Sequence, residues 1–431
     1  MLNICGKMGA WTMVLVLLVM LVGCGNDKAR AEKGGGEISC RDHLYGRNVY
    51  KMVIFDEYFP SELSKFLSPM MALSIENDCD GERAVLIRSV VGRDTLDKIF
   101  VLRDSAAMAE NKPLPPDIAD AKVLRYPLER VVVLSSAQIG YMTRLGLEDR
   151  IVGVGEGKYI ADSTLYAKVA AKEIVEIGYG NAADYEKLMA LKPDLVMTFA
   201  TGGGQDDYER MEKLGLPVML TPEWRSSSPV TKARWLELYG VMFGVEELAK
   251  AELLKSELAY GTVYASADSG SSKPCPRVLA GMSYGGVWYA PGGNSYTGNL
   301  IKDAGGCYLW ASDTTRELKL TIEDVMALAD SVDIWINPGM FGSPEEILAA
   351  EPRAAHIKAF KNKRVFQNDG RKGPGGGNDF YESAVARPAE LLWNLKKQFG
   401  TAPEVLPKTT LGKPIRPISV DTSFEWYHNI F

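Results

Sequence analysis

From residue 40 to about 126, short runs of β-like composition at 49–55, 83–91 and 98–102 alternate with turn residues: Asp80-Gly81, Gly92 and a proline cluster at 113–116. This pattern predicts a small β-rich extension. At Arg130 the rhythm changes. Val131-Val132-Val133-Leu134 reads as a buried strand, with Ser135-Ser136 as candidate helix caps and an amphipathic segment running to Leu145. Strand 151–154, helix 185–191, strand 194–199, helix 206–214 and strand 217–220 follow. Strands alternating with helices predict a parallel α/β sheet, a first lobe over residues 127–227.

Ser228-Pro229 reads as an N-cap with proline at the first helical position. A helical stretch runs to Phe243, is interrupted at Gly244, and continues over 245–265 with near-neighbour charge pairs among Glu246, Glu247, Lys250, Glu252, Lys255 and Glu257. Residues 228–272 therefore form a long rigid helical connector ending in a Ser/Gly linker. The α/β rhythm then repeats over 273–400: strand 277–281, helix 295–303, helix 322–328, strands 333–336 and 364–366, and helix 380–399. A proline-rich tail, 401–431, closes the chain. The expected fold is α/β, with two Rossmann-like lobes joined by a long rigid helix behind an N-terminal β-rich extension.

Composition narrows the function. A chain of 431 residues, 46% hydrophobic and 24% charged, has enough material for two cores. A net charge of −6 gives no basic face for nucleic acid. The apolar run 11–22 follows Lys7 and is short for a bilayer span, so it reads as the core of an export signal. It ends in Leu21-Val22-Gly23-Cys24, which resembles a bacterial lipobox. Residues 1–24 are thus expected to be a lipoprotein signal peptide, Cys24 the lipidated residue, and the glycine-rich residues 25–39 a flexible tether. The chain is expected outside the cytoplasm, anchored by lipid to the cell envelope, with no nucleic acid as partner. Cys40, Cys79, Cys275 and Cys307 remain, and their pairing is open.

Two segments repeat. Glu186-Lys187-Leu188-Met189-Ala190-Leu191 and Glu323-Asp324-Val325-Met326-Ala327-Leu328 share four of six positions, and each leads through a short turn into an apolar strand. Asp184 and Thr321 are the expected N-caps, placing each glutamate in a first turn, where the helix dipole favours a carboxylate. One exposed carboxylate per lobe suits arginines on the two halves of a symmetric partner.

The segments Arg130-Val131-Val132-Val133-Leu134-Ser135, Tyr185-Glu186-Lys187-Leu188 and Lys192-Pro193-Asp194-Leu195-Val196 together resemble the metal-chelate class of ABC-transporter substrate-binding proteins. Gly292-Gly293-Asn294-Ser295, Asp303-Ala304-Gly305-Gly306 and Arg387-Pro388 extend the resemblance, which runs from about Arg130 to Phe399. It implies a ligand cleft between two rigid lobes, an ATPase-driven two-fold permease as partner, and docking through Glu186 and Glu323. It implies no intrinsic cofactor; the guest is an iron complex (ferric siderophore or haem) or, alternatively, a cobalamin. Residues 40–126 lie outside the shared region.

A cleft for a large flat chelate needs aromatic walls and a few polar groups. Tyr179, Phe199, Trp224, Arg225, Trp288, Tyr289 and Asp379 are the expected lining; Tyr159, Tyr284 and Trp310 are further loop aromatics. Tyr179, Phe199, Tyr289 and Asp379 fall near contact positions of B12-binding relatives, although Arg316-Glu317-Leu318 replaces the tryptophan those relatives carry before the second docking glutamate. Gly178-Tyr179 also matches haem-binding relatives, where the tyrosine ligates iron, so Tyr179 is a metal ligand if the guest is haem. Asn181 stands where those relatives have an arginine. Arg371 and Lys372 are candidate partners for an anionic chelate. His43, His356 and His428 are scattered, which disfavours a bare metal ion as guest.

Gly281-Met282-Ser283-Tyr284-Gly285 matches the GxSxG pattern of serine hydrolases, but Gly286-Val287-Trp288-Tyr289-Ala290-Pro291 after it reads as extended, where a nucleophile elbow needs a helix. An enzyme is therefore not expected. A third reading, a scavenging lipoprotein that hands its guest to a receptor rather than an importer, shares the cleft without needing both glutamates.

Overall fold

A computed structural model describes residues 81–92, 94–114, 116–266, 274–403 and 420–431. The export segment with Cys24, the tether, Cys40, Cys79, the strand expected at 49–55 and the Ser/Gly linker lie outside the described residues.

Strands β1 (Glu82–Val91) and β2 (Asp94–Arg103) pair antiparallel from end to end, and β3 (Lys122–Arg125) runs parallel to β2. One face of this sheet, carrying Val85, Ile87, Phe100, Leu102 and Leu124, is buried in a single core with Val131, Tyr141 and Met142. The extension is thus continuous with the first lobe's interior. Arg83 and the Tyr126 hydroxyl both donate to the Glu246 carboxylate, which ties the small sheet to the start of the connector helix.

The first lobe has five parallel strands, β4 (Val131–Val133), β5 (Ile151–Val154), β6 (Val175–Glu176), β7 (Leu195–Thr198) and β8 (Val218–Leu220), in the order β6-β5-β4-β7-β8. β4, β7 and β8 are buried along their whole length, as uniformly apolar strands covered by helices on both faces should be. Ser135 closes a capping box with Gln138 on helix Ser136–Arg144.

The connector is a helix series. Pro229–Ala233 opens behind the Ser228 cap, Leu236–Phe243 ends at the left-handed Gly244, and Glu246–Ala265 follows. Twenty residues make this last helix about 30 Å long. Its C-terminus is held by the buried Lys396, whose ammonium donates to the carbonyls of Val263 (3.1 Å), Tyr264 (3.3 Å) and Ser266 (3.4 Å). Helices end with unpaired carbonyls, and a cation there also meets the negative end of the dipole.

In the second lobe β9 (Arg277–Ala280) leads into a three-stranded antiparallel sheet of β10 (Met282–Tyr284), β11 (Val287–Pro291) and β13 (Glu317–Thr321). The main sheet joins β9 to β12 (Cys307–Tyr308), β14 (Ile334–Ile336), β15 (Val365–Gln367) and β16 (His428–Asn429) in the order β12-β9-β14-β15-β16, parallel except for β16. A disulfide joins Cys275 to Cys307 where β9 and β12 begin to pair.

The GxSxG segment and the extended run expected after it form a β-hairpin, with Tyr284 opposite Val287 and left-handed Gly285 and Gly286 forming its two-residue turn. Its third strand, β13, was not foreseen. The last helix begins at Pro388, not 380: two 3₁₀ turns, Asp379–Tyr381 and Ser383–Ala386, precede it. Proline lacks an N–H and suits a first helical turn, while keeping Arg387 out of helical geometry. The tail is no appendage at its end, since Trp426 and Tyr427 are buried and β16 completes the sheet.

Candidate functional site

Parallel strands leave their polypeptide ends on one side, and in open α/β sheets the crevice beyond the carboxyl ends receives ligands. In the first lobe, Tyr179 follows β6 and Phe199 follows β7. Their rings stack, with centroids 5.1 Å apart and planes 10° from parallel. Both are half-buried, so they form an apolar wall with an open side. Burial, with Asp206 and Asp207 nearby, pushes the Tyr179 phenol up to about 12. Trp224 follows β8 and is 42% exposed, with the Arg225 guanidinium 5.1 Å from its ring.

The second lobe presents its own aromatics. Tyr284 and Phe341 stack at 6.0 Å, and Tyr289 lies 6.4 Å from Tyr284 with the Lys319 ammonium 5.7 Å from its ring. The Tyr284 hydroxyl accepts from the Met340 N–H, and Met340 itself is 91% exposed. Trp288 does not join this surface. It is wholly buried, stacked at a tilt on Trp335, with its indole N–H donated to the Ala280 carbonyl at 3.2 Å. Tyr289 and Trp288 are neighbours on one strand, so their side chains leave on opposite faces; one faces the lobe interior and the other does not.

Asp379 is buried and already engaged. Its carboxylate accepts from Arg371 Nε (2.8 Å), Ser383 Oγ (2.7 Å) and Trp426 Nε1 (2.9 Å). It borders a polar cavity of 550 Å³ between the lobes, with Asp162 from the first and Arg371, Lys372, Glu382 and Arg387 from the second. Lys372 pairs with Asp369 at 2.6 Å.

Ties across the lobes frame the cleft. The Glu382 carboxylate accepts the backbone N–H groups of Ala161 and Asp162, each at 2.7 Å. Burial raises its carboxyl to about 7, against the pull of those two N–H groups. A Cβ on Gly377 would meet the Tyr159 carbonyl at 2.3 Å, so the loop after β15 rests on the first lobe's backbone. Elsewhere, Arg316 Nη1 donates to the Arg225 carbonyl (2.6 Å) and Asn299 Nδ2 to the Ser227 carbonyl (2.9 Å). Glu382, Phe341 and Arg316 were not selected from the sequence. Nothing local marks them; only the packing of distant segments brings them here.

The two repeated helices form as their caps dictate. Asp184 accepts from Lys187 N–H, and Thr321 makes a capping box with Asp324. Glu186 and Glu323 are both exposed in first turns. They differ in one respect: Glu323 is held by Arg353 at 3.0 Å, whereas Glu186 has no ion pair among the described residues. Ser283 is buried on β10 opposite Trp288, and His428 pairs with Asp369 at 2.7 Å. No nucleophile–base pair forms at the GxSxG segment from these residues. Among the described residues, no group of three or more His, Cys, Asp or Glu side chains is placed to hold a metal ion.

A family profile described as periplasmic binding protein matches residues 131–371. An uncharacterised lipoprotein of Methanocaldococcus jannaschii is 22% identical over 284 residues, which is 64% of this chain and 66% of the relative. The uncharacterised ABC transporter substrate-binding lipoprotein YvrC of Bacillus subtilis is 28% identical over 280 residues, 62% of this chain and 82% of the relative. The crystal structure of a periplasmic binding protein from Veillonella parvula superposes with a TM-score of 0.51 at 17% identity, covering 73% of this chain and 97% of that one. The profile begins after β3, so the small N-terminal sheet lies outside it.

Proposed function

Because the chain belongs to the periplasmic binding protein family, we propose that it is the binding lipoprotein of an ABC importer, holding an iron chelate (a ferric siderophore or haem) between its lobes. The observation that carries this reading is the pairing of a clefted two-lobe body with two capped helices that expose Glu186 and Glu323, one per lobe. Such knobs fit arginines on a two-fold permease with its ATPase. The ABC substrate-binding lipoprotein of Bacillus subtilis, aligned over 82% of its length, supports the same role. The Cys24 motif supports anchoring at the envelope surface by lipid.

The stacked Tyr179 and Phe199, with Trp224, Arg225 and Tyr289, are the residues that would meet a flat, partly anionic guest. If that guest is haem, the Tyr179 oxygen is a hard donor suited to ferric iron. Cobalamin is the competing guest. Absorbance spectra after gel filtration with haemin, a ferric hydroxamate or cyanocobalamin decide between them: retention of an iron chelate supports the proposal, and retention of cyanocobalamin alone overturns the iron assignment. Glu186→Lys with Glu323→Lys should lower import at least about tenfold while leaving chelate affinity unchanged. Full import by that double variant would favour a scavenger over an importer component.

A further inference from the structure

The β1–β2 hairpin lies outside the family profile, yet its tip ends at the cleft wall. Gly92 closes the hairpin with φ 62°. A Cβ on Gly202 would fall 2.4 Å from the Gly92 Cα and 2.5 Å from its nitrogen, so the two backbones touch with no room for a side chain on Gly202. Gly202 belongs to a loop that starts two residues after Phe199 and is cinched by Asp206, whose carboxylate accepts from the N–H groups of Thr201 and Gly202. The far side of this loop presses on the next one: a Cβ on Gly180 would meet Gln205 Oε1 at 2.6 Å and the Gln205 carbonyl at 3.0 Å. Gly180 directly follows Tyr179. Three segments therefore abut in series: the hairpin tip, the Thr201–Asp206 loop, and the loop that carries Tyr179.

The hairpin is itself fixed to the lobe. Ser89 Oγ donates to the Leu220 carbonyl at the end of β8, and Lys98 pairs with Glu212 while lying 5.3 Å from the Tyr208 ring. One face of the sheet is in the first lobe's core. A rigid element set against a loop that has few apolar anchors removes conformations from that loop.

We propose that the N-terminal hairpin is a backstop for the ligand cleft: through Gly92, Gly202, Gln205 and Gly180 it holds Tyr179 and Phe199 in their stacked pose, and so sets how long the guest is retained without touching it. The hairpin residues are positioning residues, and the retention half of this inference rests on the chelate reading above. Gly202→Asn tests it in the full chain, because asparagine tolerates left-handed backbone while its Cβ forces the tip away. Hydrogen exchange should rise in residues 178–183 and 199–206 while β4 and β7 keep their protection. Whichever of haemin, ferric hydroxamate or cyanocobalamin the wild type retains should dissociate about fivefold faster or more. Lys98→Ala, which loosens the hairpin without touching the loop, should shift both readouts the same way, and it carries the test if Gly202→Asn fails to fold. Unchanged exchange at 178–183, or an unchanged dissociation rate beside raised exchange, overturns the backstop. If no chelate binds the wild type, the chelate reading falls, and the exchange result alone decides whether the hairpin orders the wall.

Discussion

Lys396 and Glu382 show what single buried titratable groups do: the first ties the last helix to the connector, the second ties one lobe to the other. Lys396 is a cation amid apolar side chains, and burial lowers its pKa despite Asp303 nearby. It is retained there by the three helix-end carbonyls it satisfies. Lys396→Met keeps the apolar stem and removes the ammonium from those carbonyls, of which Val263's retains a donor in Ser266 Oγ, so urea denaturation should show a loss of about 2 kcal/mol. Glu382 couples stability to pH. Its folded carboxyl sits at about 7 against an ordinary 4.5, so the native state holds the proton more tightly than the unfolded chain. The associated stabilisation is full below about pH 4.5 and is lost as pH rises through about 7, amounting to about 3 kcal/mol. Glu382→Gln should flatten that part of the stability profile relative to wild type, measured by chemical denaturation between about pH 5 and pH 8. A parallel offset of the two curves would show that Glu382 does not titrate in this range.

Among elements, the disulfide and the caps make separate contributions. Cys275–Cys307 closes a loop with a sequence separation of 32 and pins edge strand β12 to β9. By chain entropy such a crosslink contributes about 3–4 kcal/mol. Cys275→Ser should lower stability by that order under oxidising conditions, with chelate binding retained at temperatures where the variant is folded. The helices that carry Glu186 and Glu323 were legible because their signals are local: an Asp or Thr cap, a first-turn acid and an apolar face all lie within a few residues. The hairpin from Met282 to Pro291 was legible in part: residues 286–291 read as extended, which set the GxSxG pattern aside, but the pairing with β13, some thirty residues on, has no local signal. The same pairing buries Trp288 and leaves Tyr289 outside, a distinction that requires knowing which face of β11 is covered.

Across the whole molecule, periodicity along the chain determined the two α/β blocks and the helical connector, because parallel strands buried on both faces must be continuously apolar and must alternate with helices. It also determined the matched acidic helix starts. The tertiary structure alone decided what lies between and behind the lobes: the Glu382 tie to Ala161 and Asp162, the tail strand β16 on β15, the Tyr179–Phe199 stack, and the hairpin tip against Gly202. Each of these joins separate segments of the chain, and the last is a backbone contact between two glycines. A sequence encodes local propensity residue by residue, whereas such contacts exist only once separate elements have packed to a common distance.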